Sequence, residues 1–314
     1  MKTTVILPPL SHAPGQLTRE ARRDAGALLL DFLTLTKPRI AVLVLFTVAI
    51  GSLLGAAAAK QTVDLVLLVN TLIGTGLVAA GASALNQLLE KDSDALMRRT
   101  ENRPLPAGRL QPMEVLVFGV VLSVVGLGYL ALATPHALGV VVAGVTLVSY
   151  VLVYTPLKRH TTLNTLIGAV PGALPPVIGW TAVTGTIDTG VIVLFLIVFL
   201  WQVPHFLAIA WMYREEYGKA GMRMLPVVDA EGGMTSRQMM SYCAALVPVS
   251  LLPVLWAHAS IYFGLAALLL GLAFFGTTVA FARNRGRTQA RRVLHASLIY
   301  LPALLSLLLI ESFW

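Results

Sequence analysis

Nine apolar runs set the limits on what this chain can become. They lie near residues 40–59, 65–88, 114–133, 137–154, 163–181, 190–212, 240–257, 260–281 and 294–312. Each is close to the ~20 residues that cross the hydrocarbon of a bilayer. Inside lipid the backbone must satisfy its own hydrogen bonds, which leaves helices or closed barrels. A barrel would show weak alternation, and these are solid apolar blocks. The runs predict an all-α, polytopic membrane protein of about nine transmembrane helices. Composition agrees, because 57% hydrophobic and 12% charged residues exceed what a soluble globular domain needs. The net charge of +8 sits in short loops between the runs, so it reads as topology, with no nucleic-acid partner expected.

The loops alternate in charge. One side collects the N-terminal tail, Lys91 to Arg109, Lys158–Arg159, Arg214 to Arg237 and Arg283 to Arg292. The other holds the loops near Lys60, Pro135–His136, Asp188 and His258, plus the C-terminus. Of the 23 Lys and Arg residues, only Lys60 falls on the second side. The positive-inside rule then places the N-terminus and the long loops in the cytoplasm of a bacterial inner membrane, with the C-terminus outside. Residues 1–37 read as a cytoplasmic tail. Its start is Pro-rich, and Arg19, Arg22 and Arg23 precede a stretch suited to an interfacial helix. The late basic region, with no cleavage site after a short apolar core, argues against a signal peptide. Residues 38–314 form the intramembrane domain. The single cysteine, Cys243, reads as a small buried hydrophobe. The run Arg283 to Arg292 reads as a basic loop that anchors anionic lipid.

The chemistry concentrates after the second run, in NQLLEKDSDALMRRTENRPLPAGR, residues 86–109. Asn86, Glu90 and Asp94 are four apart and share a helix face. Arg98, Arg99, Arg103 and Arg109 follow. Carboxylates suited to a divalent cation, next to guanidinium groups suited to phosphate oxygens, describe a Mg2+–diphosphate site. The alternative is an ordinary solvated loop of mixed charge. Asp92 lies off the face. A second acidic and basic loop follows the sixth run, with Tyr213, Arg214, Glu215, Glu216, Tyr217, Lys219 and Arg223. Two such loops on one side predict a central cavity open to the cytoplasm, with a charged substrate head near water and a lipid tail between helices. Here the alternative is an interfacial belt.

The pattern Asn86-x3-Glu90-x3-Asp94, continuing through Met97, Arg99, Thr100, Arg103 and Pro104, resembles the first acidic motif of the UbiA-type intramembrane prenyltransferases. The continuation is most similar to the protohaem IX farnesyltransferase branch, as are the blocks at 154–185 and 201–229. Ser93 departs from the larger residue common there, and helical spacing points it away from the Asn86–Glu90–Asp94 face. In the second loop the superfamily carries two aspartates four apart. This chain has the adjacent pair Glu215–Glu216, and Glu216 is the preferred ligand with Glu215 as fallback. The resemblance implies Mg2+ held by Asn86, Glu90, Asp94 and Glu216. It implies substrate contacts from Arg98, Arg99, Arg103, Lys158, Arg159, Tyr213, Tyr217 and Lys219.

His205 lies inside the sixth run, where an ionisable side chain is a functional candidate by default. Eleven residues separate it from Glu216, which on a straight helix gives nearly the same face about 16 Å apart. Contact with haem through His205 is one reading, and a hydrogen bond to a neighbouring helix is the other. Gly168 and Gly172 allow close helix approach, and Pro171, Pro175 and Pro176 interrupt a cavity wall. The activity implied by the resemblance is transfer of farnesyl from farnesyl diphosphate to the C2 vinyl group of haem B, with addition of water, giving haem O. Membrane lipid is the surrounding medium, and haem A synthase or oxidase assembly factors are the implied protein partners. Two alternatives are a UbiA-type aromatic prenyltransferase acting on 4-hydroxybenzoate, and a polytopic transporter with midplane breaks.

Overall fold

The computed structural model describes residues 25–256 and 259–313. The expectations for the first 24 residues, including Arg19, Arg22 and Arg23, and for His258 lie outside the described residues. Among the described residues every regular element is helical, and nine helices are long and apolar enough to cross a membrane. They are Pro38–Ala58, Leu65–Leu89, Pro112–Ala133, Ala137–Leu157, Asn164–Thr184, Thr189–Met212, Gly233–Leu255, Ile261–Arg283 and Arg287–Phe313. The chain is an integral membrane protein. A shorter apolar helix, Ala25–Leu35, precedes the first span.

Successive spans lie side by side, and the ninth returns to the first, which closes the bundle into a ring. The fifth and sixth spans are the inner ones. They bury 67% and 61% of their apolar windows inside the protein, against 22–44% for the others. The first and fifth spans meet backbone to backbone. A Cβ on Gly51 would collide with the Pro176 carbonyl, and one on Gly179 with the Val48 carbonyl. Gly168 and Gly172 also sit at close approaches, to the Tyr154 ring and to the Gln202 amide.

On the side away from the long loops, polar residues cap the helix starts. Asp64 accepts hydrogen bonds from the Val66 and Leu67 amides. Asp188 accepts from Val191, and Ser260 from Phe263. Each satisfies a donor that a helix start leaves open. The fifth span breaks at Leu174, between Asn164–Ala173 and Pro175–Thr184, where two consecutive prolines remove backbone donors.

Two boundaries differ from the apolar pattern. The seventh and ninth spans begin at Gly233 and Arg287, about two turns before their apolar runs. Polar residues such as Thr235, Arg237, Arg291 and Arg292 extend the helix beyond the apolar run. The basic stretch Arg283 to Arg292 is therefore mostly helix, ending one span and starting the next around residues 284–286.

Candidate active site at one end of the bundle

The second span ends at Leu89, and a short helix, Lys91–Asp94, follows at once. The Glu90 amide still bonds to the Asn86 carbonyl at 3.0 Å, and the Asp94 amide to the Glu90 carbonyl at 2.8 Å. Fourfold spacing therefore survives the break and keeps Asn86, Glu90 and Asp94 together. All three are buried, whereas Asp92 and Arg98 are exposed.

Each buried carboxylate has its own cation. Lys158 Nζ donates to Glu90 Oε1 at 2.6 Å, and Arg103 Nη1 to Asp94 Oδ2 at 2.5 Å. The fourth span supplies Lys158 through a π-helical turn, Ser149–Tyr154, next to Pro156. Such turns shift the register of the side chains that follow. Here the turn brings Thr155 Oγ1 to the Asn86 amide at 3.0 Å and sets Lys158 Nζ 4.5 Å from the centre of the Tyr154 ring. Arg159 donates to Ser93 Oγ. Ser93, expected to point away from the Asn86–Glu90–Asp94 face, is not in solvent. It is buried and orients a guanidinium.

Lys37 is a member of this site that the sequence reading left in the tail. It stands immediately before Pro38 with a left-handed backbone, φ 49°, and its Nζ donates to Asn86 Oδ1 at 3.1 Å. Non-glycine residues rarely adopt that conformation. A cation at a helix N-terminus also opposes the helix dipole, and that conflict was the available signal.

The charges are coupled. Burial pushes the Lys37 ammonium down to about 7, helped by Arg103 and Lys158 and resisted by Glu90 and Asp94. For Glu90, burial works upward, but Lys158 with its hydrogen bond, then Lys37 and Arg103, hold the carboxyl below its usual value. For Asp94, burial outweighs Arg103 and raises it. Burial opposes the charge on Lys158, yet Tyr154 and Glu90 raise it overall.

The second loop closes over the first. Glu216 Oε2 accepts from the Arg99 amide at 3.3 Å, and Arg99 Nη2 donates to the Tyr217 hydroxyl at 3.2 Å. The Arg99 guanidinium also sits 5.1 Å from the Tyr213 ring centre and 5.7 Å from that of Tyr217. Glu216 is half-buried, while Glu215 and Lys219 are exposed, so Glu216 is the acid that faces the first loop. The Arg223 amide bonds to the Lys158 carbonyl at 2.8 Å, and Asn164 Nδ2 to the Arg223 carbonyl at 3.1 Å. The loops after the second, fourth and sixth spans thus form one connected end.

The straight-helix relation between His205 and Glu216 does not hold. The sixth span stops at Met212, Tyr213 leaves helical geometry (φ −114°, ψ 17°), and a new helix runs Arg214–Lys219. Facing and depth therefore cannot be carried across residue 213. His205 is buried, its Nδ1 lies 2.7 Å from Ser297 Oγ on the ninth span, and its ring stacks on Trp201 at 4.9 Å. It does hydrogen-bond a neighbouring helix.

Among the described residues, no three His, Cys, Asp or Glu side chains form a cage able to hold a metal ion. The trio Glu90, Asp94 and Glu216 is therefore not gathered into one. The donors still fit Mg2+, which prefers oxygen and is commonly held by one or two carboxylates together with substrate phosphates. Glu90 and Asp94 supply two buried carboxylates, and four cations stand beside them for phosphate oxygens. An apolar groove of about 610 Å3 between the eighth and ninth spans, lined by Ala266, Leu269, Ala303 and Leu307 among others, has no charged lining and lies toward the opposite end.

Residues 44–300 match the UbiA prenyltransferase family. The chain belongs to that family. It is 46% identical over 287 residues to the protoheme IX farnesyltransferase of Solibacter usitatus, covering 90% of this chain and 98% of that relative. Among solved structures, one from work on digeranylgeranylglyceryl phosphate synthase in membranes superposes with a TM-score of 0.76 at 17% identity, covering 90% of this chain and 98% of that one. A UbiA homolog from Archaeoglobus fulgidus, solved with DMAPP and Mg2+, gives 0.59 at 17% identity, covering 88% and 99%. At such identities these structures establish the shared fold. The UbiA assignment makes the connected end of the bundle the place to look for prenyl transfer.

Proposed function

We propose that the protein transfers the farnesyl group of farnesyl diphosphate to the C2 vinyl group of haem B, with addition of water, giving haem O and diphosphate. The observation that carries the reading is the pair of buried carboxylates, Glu90 and Asp94, each clasped by a cation at the end where three loops meet. The kind of acceptor and the prenyl donor come from the protoheme IX farnesyltransferase relatives.

Mg2+, when bound, neutralises charge on the diphosphate leaving group. Glu90 and Asp94, with Asn86 and with Glu216 from the second loop, would hold it. Lys37, Lys158, Arg99, Arg103 and Arg159 bind the remaining phosphate oxygens and stabilise the negative charge that grows as the farnesyl C–O bond breaks. Tyr213 and Tyr217 hold Arg99 in place for this, and Arg98 and Lys219 add positive charge at the exposed edge. The electron pair of the breaking bond leaves with diphosphate, and the vinyl π pair forms the new C–C bond. The cation left beside the ring takes up the oxygen of water, whose proton is released. Apolar spans around the farnesyl chain keep bulk water from the first cation. His205 contacts the haem.

The active-site end faces the cytoplasm of a bacterial inner membrane, and the product passes to haem A synthase or oxidase assembly factors. Mass spectrometry of haem extracted from membranes of expressing cells tests the reaction. The expected result is haem B converted to a species heavier by a farnesyl group plus a hydroxyl group, dependent on farnesyl diphosphate and Mg2+. Prenylation of 4-hydroxybenzoate with haem unchanged would replace this reading with the aromatic one.

A further inference from the structure

Ser297 on the ninth span makes two short contacts through one oxygen. Its Oγ lies 2.6 Å from the Leu294 carbonyl and 2.7 Å from His205 Nδ1. A hydroxyl has one proton to give. The carbonyl can only accept, and two oxygens at 2.6 Å need a proton between them. The Ser297 proton is therefore committed to Leu294. What remains toward His205 is a lone pair, so Nδ1 must carry the hydrogen. In a neutral imidazole the other nitrogen, Nε2, then keeps its lone pair. Two further contacts fix the arrangement. Trp201 Nε1 donates to the Ser297 carbonyl at 2.7 Å, and the Trp201 ring stacks on the imidazole with an interplanar angle of 28°.

We infer that Ser297 is a positioning residue, which holds His205 as the Nδ1–H tautomer and so presents Nε2 as an unprotonated ligand to the haem acceptor. The assignment rests on the reading of His205 as a haem contact. It follows the general pattern in which the ring nitrogen away from an iron is fixed by a hydrogen bond that sets tautomer and orientation. Ser297 itself touches neither substrate. Its carbonyl is tied to Trp201 and its hydroxyl to Leu294, so the sixth and ninth spans hold the imidazole without any charged partner in this contact set.

The test uses full-length protein, in detergent and free of haem, labelled with 15N-histidine, with His205→Gln assigning the signals. Wild type is expected to show a protonated Nδ1 and an unprotonated Nε2. Ser297→Ala should lose that single tautomer and bind haem about 10- to 100-fold more weakly, the range seen when such supporting groups are removed. Its affinity for farnesyl diphosphate should stay the same. Ser297→Thr keeps the hydroxyl and should keep both properties, which separates this role from mere packing. A protonated Nε2 in wild type, or unchanged nitrogen shifts in folded Ser297→Ala, overturns the assignment. Haem affinity left intact by His205→Ala overturns the underlying haem contact instead. That failure is recognisable because the nitrogen shifts would still be those of the Nδ1–H form.

Discussion

Lys158, just beyond the fourth span, holds Glu90, just beyond the second, through a 2.6 Å ammonium–carboxylate contact. Both side chains are largely buried, so removing one partner strands the other. Lys158→Met should destabilise the protein by about 2 kcal/mol, below the ~3–5 kcal/mol lost when a fully buried pair is broken. The double variant Lys158→Met/Glu90→Gln should regain part of that stability and no activity. Thermal unfolding in detergent and product formation, measured side by side, check both halves. A double variant as unstable as the single one would show that the pair does not hold the loops together.

Asp94→Asn preserves size but removes a charge beside Arg103. If the carboxylate acts as the C–O bond breaks, a loss of ~3 kcal/mol of transition-state stabilisation lowers the rate more than a hundredfold. Glu90→Gln should lose activity on the same scale. Asp92 is exposed, and Asp92→Asn should stay within a few-fold of wild type. Equal damage at Asp92 and Asp94 would point to a general charge effect and away from a specific site.

Lys37 gives the ligand-free protein a pH signature. Its folded value near 7 lies below the ordinary 10.5, so between these two values the unfolded chain binds the extra proton. Stability should therefore rise with pH through that window, by at most ~1.4 kcal/mol per unit, and level off beyond it. Glu90 acts on the acid side. Its lowered value contributes stability that is present above the ordinary carboxylate range and lost as pH falls through the depressed value. Unfolding measured from pH 6 to 9 should slope upward in wild type and run flat in Lys37→Met. Identical slopes in the two proteins would dismiss Lys37 as the titrating group.

What the sequence disclosed and what it hid divide along physical lines. Apolar length marks a membrane span whatever packs against it, so all nine spans were readable. Fourfold spacing is likewise local, which is why Asn86, Glu90 and Asp94 were recognisable together. Lys37, Thr155 and Ser297 were not, because their roles depend on partners 49, 69 and 92 residues away. The break at Tyr213 was hidden for another reason. No proline or glycine marks it, and the straight helix drawn from His205 to Glu216 ran through it. Polar residues at the starts of the seventh and ninth spans looked like loop because there the helix runs past the apolar stretch that marks a span.

The connected end of the bundle also makes topology testable. Reporter fusions at Arg109 and Arg285 should report the cytoplasm, and fusions at Lys60 and Asp188 the opposite side. Contacts such as Arg285 Nη1 to the Glu231 carbonyl, 2.8 Å, and Arg109 Nε to Asp31, 3.0 Å, already place these loops and the first short helix at one end. The positive-inside rule supplies the direction. A cytoplasmic signal at Asp188 would reverse the proposed orientation.

His205 and Glu216 should part the two substrates. Glu216 lies beyond the break at Tyr213, beside the Arg99 amide and among the charged loops. His205 lies seven residues before the end of the sixth span, about 10 Å of helix, among Trp201, Phe206 and Ser297. On the proposed reading, one diphosphate head bound by the loops falls to Glu216, and the acceptor ring to His205. His205→Ala should weaken haem binding, read from the Soret band of purified protein, while Mg2+-dependent farnesyl diphosphate binding stays close to wild type. Glu216→Gln should do the reverse. Thermal unfolding of both variants guards against reading a folding defect as a binding one. Normal turnover with an unchanged Soret band in His205→Ala would leave His205 as a packing residue tied to Ser297, and the haem contact would have to be sought elsewhere along the fifth and sixth spans.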